Sequence, residues 1–380
     1  MVQLESNNKK EIISWITPEC FLDVDIPIII GLNKLYKINW LIIGFDRSHR
    51  GMYTRLDIEN IILVNGIQGE ILQQNYRFSN PLVLSFYFKV TNRITKLKPS
   101  LVYTSYLGEP FFLLLLPCFI KKSKVVIAYH DVIMHTGERY SSIKNIYHTI
   151  CRQLFTNIHL FSNTQKEIFT KKYGNKNMLT TPLVCKDFGK PINIKESTKI
   201  RFLFFGSIAE YKGLDVLLNA VNYLIDELKE NDFLLTIAGN ANHSEWNNYK
   251  KLITHAEQIN CDIRVIPNSE IPDLFCNNDI LILPYKEATQ SGPLMIAYNY
   301  GIPIIASNLL AFQEYITNRE TGLFFQNHSH KELASVMKEC INNAKLVSDL
   351  KNNVKATSQT KFGFDYISNQ YIKYFNKFLG

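Results

Sequence analysis

Short apolar runs without polar alternation recur along the chain, each followed by a longer stretch whose apolar residues fall at helical spacing. An unbroken run of this kind marks a strand covered on both faces, as in a parallel sheet between helices. In the first half the runs predict strands at residues 11–16, 40–44, 61–64, 101–104, 124–129 (KVVIAY) and 158–162. Helices are predicted at 20–35, 81–97, 109–119 and 142–155, and one more opens at Ser162, with Gln165 as capping-box partner, and stops at Gly174. In the second half strands are predicted at 201–206 (RFLFFG), 233–238, 262–266, 279–284 and 302–306. After 201–206, Leu214, Leu217, Leu218, Val221, Leu224, Ile225 and Leu228 form one helical stripe. Further helices are expected up to about 259, at 272–277, at 330–343 and at 346–360. The polar stretch 185–199 (CKDFGKPINIKESTK), broken by Gly189 and Pro191, predicts a linker. The pattern is α/β. It predicts two Rossmann-like, doubly wound domains facing across a cleft, residues 1–187 and 196–362, with an aromatic-faced helix at 364–380 packing back on the first.

The segment 279–307, DILILPYKEATQSGPLMIAYNYGIPIIAS, concentrates the chemistry. It reads as a buried strand, a loop of small hydroxyl and amide residues, a helix opening at Pro293 and ending at Gly301, and a second buried strand. Free backbone N–H groups and the helix dipole converge at such a loop and favour an anion, here a diphosphate. An ordinary βαβ turn is the alternative reading of the same pattern.

The chain has 380 residues, 46% apolar and 20% charged, which suits two globular domains. Its net charge of +8 is uneven: residues 1–190 carry 24 Lys/Arg against 14 Asp/Glu, and residues 191–380 carry 18 against 20. A basic first half fits contact with a membrane surface or a lipid-phosphate acceptor, or else a solvated basic face. Basic residues are dispersed without a nucleic-acid-binding motif, so no nucleic-acid partner is expected. Seven separated cysteines without CxxC or Cys/His spacing predict buried thiols in a reducing compartment. The N-terminus lacks a signal-peptide core, and the longest apolar run, 110–120, is too short to span a bilayer. The expected location is the cytoplasm, with peripheral contact at the inner membrane face through the basic N-terminal half.

Two acid-bearing spots stand out in the first half. Asp23-Val24-Asp25 has the spacing of metal-holding DxD motifs, although two acids at a helix start are common and favour the dipole. The 124–129 strand delivers His130-Asp131 at its carboxyl end, where ligands gather in open α/β sheets, with His135 close behind.

FFGSIAEYKGLDVLLNA (204–220), IPDLF (271–275), the 279–307 segment, Glu314 and Thr321-Gly322-Leu323-Phe324 occur in an order that resembles the retaining glycosyltransferases of family 4, with the GT-B fold. The likeness covers residues 200–326 and is loose in the first half. It implies a nucleotide-diphosphate-sugar donor on the second domain and a glycan or lipid-diphosphate-linked acceptor on the first. The leaving diphosphate gathers negative charge, and donors aimed at it lower the barrier. By this resemblance Lys212 is the phosphate-contacting lysine, the N–H groups of Ser291 and Gly292 cradle the diphosphate, and Thr289 and Gln290 add side-chain hydrogen bonds. Gly206 and Ser207 close the strand beside them, and Asn268 lies where the base is held. His130 touches the transferred sugar, while Asp131 and His135 belong to the acceptor side. A cation and a helix dipole replace the metal used by other transferases, so no cofactor and no metal are expected.

The sequence departs from the family at three positions. Ser207 stands where an arginine commonly accompanies the lysine, and the two glutamates seven residues apart fall on Ala288 and Ile296. Glu287, one position early, is the stand-in for the first. An ATQSG-loop branch lacking the pair accounts for this pattern. The rivals are a GT-B-fold sugar-nucleotide epimerase or hydrolase and a non-catalytic partner that binds nucleotide or glycan. Turnover of donor without acceptor separates the first, and absence of stabilisation by nucleoside diphosphates marks the second.

Overall fold

In a computed structural model, which describes residues 10–45, 53–76, 80–107, 112–130, 132 and 141–379, the apolar runs pair into two wholly parallel sheets. The chain divides into two units: Met1–Pro182 with Phe364–Gly380, and Leu183–Gly363.

The first unit is built on β1 (Ile12–Pro18), β2 (Lys37–Phe45), β3 (Gln68–Gln74), β4 (Leu101–Thr104), β5 (Val125–Tyr129), β6 (Asn157–Leu160) and β7 (Asn177–Thr180). Their order is β3-β2-β1-β4-β5-β6-β7. The second holds β8 (Ile200–Phe205), β9 (Phe233–Ala238), β10 (Ile259–Asp262), β11 (Ile280–Leu283), β12 (Ile304–Ser307) and β13 (Gly322–Phe325), ordered β10-β9-β8-β11-β12-β13. In each sheet the winding reverses between its first and fourth strands, β1/β4 and β8/β11, and the crevice beyond their carboxyl ends is where doubly wound sheets take ligands. Two Rossmann-like units of this kind make the GT-B fold.

Central strands form as expected because they are covered on both faces: every residue of β4, β5 and β11 is buried. The edges depart from expectation. Residues 61–64 are no strand but the last turn of the helix Arg55–Val64, which a reciprocal Thr54–Asp57 capping box starts. The strand there is the polar β3. β7 and β13 had no predicted strand, and β10 lies at Ile259–Asp262 rather than 262–266. Ser162 caps its helix by accepting from the Gln165 N–H, but the Gln165 side chain accepts from the Val132 N–H (2.7 Å) and leaves the capping box half made.

The stretch 185–199 is not a free linker. Ile192 and Asn193 N–H groups donate to Asp273 (2.5 and 3.1 Å), and Lys195 N–H donates to Asn277 (2.6 Å), which stitches it to the second unit. The helix Phe364–Leu379 belongs to the first unit, where Tyr371 and Phe375 pack around Trp15 and Tyr103. His159 completes that cluster, with Nδ1 2.6 Å from the Tyr103 hydroxyl and Nε2 2.8 Å from Thr181 Oγ1. Burial, reinforced by His130, holds its pKa well below the ordinary value, so it is a neutral core histidine. All seven cysteines are free. Cys151 and Cys340 are buried as expected, but Cys20, Cys118 and Cys261 are exposed. No helix of the described residues is long and apolar enough to cross a membrane.

Candidate functional site

β8 and β11 are neighbours, and their carboxyl ends deliver Gly206 and Pro284-Tyr285 to one place. From β8 the chain passes through the turn Glu210–Lys212 and Gly213 into the helix Leu214–Asp226. Gly213 is left-handed (φ 67°), and a Cβ there would lie 1.9 Å from the Pro284 carbonyl oxygen. No side chain fits, so the lysine-bearing turn lies directly on the end of β11. Lys286 fastens the loop that follows: its N–H donates to the Tyr211 carbonyl (2.7 Å), and its ammonium pairs with Asp215 (2.9 Å).

Lys212 is 7% exposed. Its Nζ lies 2.8 Å from where a Cβ on Gly206 would be and 5.4 Å from the centroid of the buried Tyr285 ring. Among the described residues the ammonium has no hydrogen-bond or ion-pair partner. Burial holds its pKa below the ordinary lysine value, with the Tyr211 hydroxyl opposing weakly. A buried cation without a counter-charge is costly, and a bound anion removes that cost.

The helix Gly292–Asn299 opens beside it. Ser291 is its N-cap, its Oγ accepting from the Leu294 N–H (3.3 Å), and Pro293 has no N–H to offer. The Ser291 and Gly292 N–H groups remain as the donors of this mouth. Pro293 Cγ lies 3.7 Å from the Gly206 Cβ position that Lys212 crowds, so cation and helix start share one corner.

The other expected donor-side residues differ in setting. Thr289 and Gln290 are half-buried in the loop, while Ser207 and Glu287 are exposed. Asn268 is half-buried and opens the turn Asn268–Glu270 before the helix Ile271–Cys276. Ile296 is buried inside its helix, so no carboxylate occupies that position.

In the first unit His130 follows β5 and is 8% exposed. Its ring is stacked between Phe21 (centroids 3.8 Å apart) and Phe161 (4.3 Å), which fixes its plane. Asp131 and His135 lie outside the described residues. Asp25 is turned inward, its Oδ2 accepting from Thr17 and Ser105 hydroxyls at 2.7 Å each. Among the described residues no group of three or more His, Cys, Asp or Glu is placed to hold a metal ion.

Sequence reasoning missed Lys186. It is 8% exposed, with its Nζ 3.2 Å from where a Cβ on Gly292 would be. Nothing in its polar, linker-like surroundings signals this.

Comparison with known proteins fits this geometry. Residues 186–357 match the family described as glycosyl transferases group 1. A 41.2 kDa protein in the cps region of Klebsiella pneumoniae is 28% identical over 145 residues, 38% of this chain and 38% of its own length. A glycosyltransferase structure from Rickettsia africae superposes with a TM-score of 0.76 at 19% identity, covering 98% of this chain and 99% of that one. Anabaena HepE, solved with UDP and glucose, superposes with a TM-score of 0.71 at 15% identity, covering 97% and 100%. The family match covers most of the second unit, and the solved structures share the two-unit GT-B fold.

Proposed function

We propose that the chain is a retaining glycosyltransferase of family 4, in an ATQSG-loop branch without the paired glutamates. It moves a hexose-like sugar from a nucleotide-diphosphate donor to a glycan or lipid-diphosphate-linked acceptor in surface polysaccharide synthesis. One observation carries the reading: the Lys212 ammonium, without a hydrogen-bond or ion-pair partner among the described residues, is buried at the switch point of the second sheet beside a helix start. The Klebsiella relative's place in a cps region supports the polysaccharide context.

In the reaction the bond from the sugar's anomeric carbon to the diphosphate oxygen breaks, and the acceptor oxygen bonds to that carbon on the same face. The acceptor proton passes to the departing phosphate oxygen, and the nucleoside diphosphate leaves. Lys212 and the Ser291 and Gly292 N–H groups meet the charge that grows on the leaving oxygen. The chain takes no metal, because the cation and the helix dipole do that work. Glu287 stands in for the first missing glutamate, and Asn268 marks the base side. Asp131 and His135 serve the acceptor.

The protein works in the cytoplasm at the inner membrane face. Exposed Leu84, Phe88 and Phe119, with exposed Lys89, Arg93, Lys121, Lys122 and Lys124, make an apolar and basic surface on the first unit that suits an anionic bilayer.

A panel of nucleotide sugars, with lipid extracts as acceptors and mass-spectrometric readout, tests the reading. The expected result is acceptor-dependent transfer from one donor, insensitive to EDTA, with the anomeric configuration retained by NMR. Donor turnover that needs no acceptor favours an epimerase or hydrolase instead. His130→Phe keeps the stack between Phe21 and Phe161 and removes both ring nitrogens. It is expected to lower kcat roughly tenfold, the value of one hydrogen bond to a sugar hydroxyl, with thermal stability unchanged.

A further inference from the structure

Each open sheet has two edges, and three of the four edges here are short: β7, β10 and β13 have four residues each. Two of those are also occupied. The Asn177 carbonyl of β7 accepts from the Tyr374 hydroxyl (2.7 Å). Beside β13, the Arg319 N–H donates to the Gly322 carbonyl (2.7 Å) and the Phe324 N–H donates to Asn318 (3.2 Å). β3 is different. It has seven residues, all paired with β2, and it stands last in its sheet. Its sequence, QGEILQQ, holds no lysine, no proline and a single charge, so it lacks the devices that ordinarily keep an edge from pairing.

The helix Arg55–Val64 lies directly on this edge, since a Cβ on Gly69 would stand 2.6 Å from Ile62 Cδ1. A groove of about 930 Å³ runs along helix and strand, lined by Arg55, Glu59, Ile62, Leu63 and Ile71 among others. Leu56 and Leu63 are 66% and 78% exposed. They stand two turns apart with Glu59 between them, so one helix face offers two bare leucines around a carboxylate.

Charge decides what fits there. Residues 1–190 carry 24 Lys/Arg against 14 Asp/Glu, yet along this edge acid and base are balanced and paired, Arg55 with Glu59 (2.8 Å) and Arg93 with Glu70 (3.4 Å). A polyanion or an anionic bilayer finds no excess cation. A second copy finds a match, because a twofold axis sets the same surface against itself.

We propose that β3 and the helix Arg55–Val64 form a self-complementary surface on which a second copy of this chain docks, joining the two first-unit sheets by antiparallel β3–β3 pairing. The twofold axis runs the helices side by side in opposite directions. Leu56 of one copy then meets Leu63 of the other, and Arg55 meets Glu59. The main-chain groups of the edge supply affinity, and the helix face supplies the register. The proposal is independent of the donor-site reading.

Sedimentation velocity on the full chain, from about 1 to 100 µM, tests it. The expected result is reversible dimerisation, with hydrogen exchange of the 68–74 amides slowing as the dimer fills. Leu63→Glu, at a side chain already in solvent, is expected to weaken the dimer about tenfold or more with Tm unchanged. Arg55→Glu and Glu59→Arg each set like charges across the axis and are expected to weaken it similarly, while an equimolar mixture of the two recovers a heterodimer. A monomer throughout that range overturns the proposal. So does a dimer that none of these variants weakens, which would use another face. A monomer that binds phosphatidylglycerol vesicles and is released by Leu63→Glu overturns it in favour of a membrane.

Discussion

Lys212→Met is expected to lower turnover about a hundredfold or more, the usual consequence of losing one preorganised donor to a developing oxyanion. Methionine preserves the stem packed at Tyr285 and Gly206, so the change is confined to the charge. The unliganded protein should then be no less stable, because a buried ammonium without a partner is removed. Loss of activity with stability held or raised is the signature of a group placed for a ligand. A pH profile sharpens the test. Burial holds Lys212 below the ordinary lysine pKa, so wild-type kcat/KM for the donor should fall on the alkaline side before an ordinary lysine would titrate. Near-native turnover in the variant would contradict the diphosphate assignment at its centre.

How far such a site can be read from sequence depends on where in the sheet a residue lies. β8, β11 and β12 are central strands whose two covered faces force continuous apolar runs, and those runs fix where the loops at their carboxyl ends begin. Lys212 and the Ser291–Pro293 helix start follow directly, since both sit one turn beyond such strands. The four edge strands, β3, β7, β10 and β13, were missed or displaced. An edge strand is covered less and needs no continuous apolar run, so QGEILQQ reads as loop although it pairs along all of its residues. The helix before it was misread because Ile61-Ile62-Leu63-Val64 looks like a strand until the Thr54–Asp57 cap upstream is recognised. Lys186 was hidden for another reason. Its segment is held by hydrogen bonds to Phe362, Met295 and Tyr300, all more than a hundred positions away, and periodicity carries no trace of such contacts.

Asp25 was equally hard to read, because a carboxyl at a helix start is ordinarily exposed, whereas this one is 1% exposed. Thr17 lies at the end of β1 and Ser105 follows β4, so the two hydroxyls bonded to Oδ2 lie at the switch point of the first sheet. Burial pushes the carboxyl up to about 6, opposed by the Ser105 and Thr17 hydroxyls and the Trp15 indole, with Asp23 adding slightly to the rise. The folded chain therefore holds this proton more tightly than the unfolded chain, whose value is 3.8. Stability from this group is fully present below the unfolded value and is lost as pH rises through the folded one, at about 1.4 kcal/mol per pH unit. Over that window the loss amounts to about 3 kcal/mol. His159 acts in the opposite sense: its depressed pKa means stability falls as the unfolded imidazole takes up its proton near 6.5. Wild type alone therefore shows a mixed profile. Asp25→Asn isolates the carboxyl, because it keeps the shape and the Thr17 and Ser105 bonds while His159 is common to both proteins. In equilibrium urea unfolding, the stability of Asp25→Asn relative to wild type is expected to grow by about 3 kcal/mol between about pH 4 and pH 7, levelling off above the folded pKa. A gap that stays flat over that range would show that the carboxyl titrates alike in both states and is solvated, not sealed beneath the first sheet's switch point.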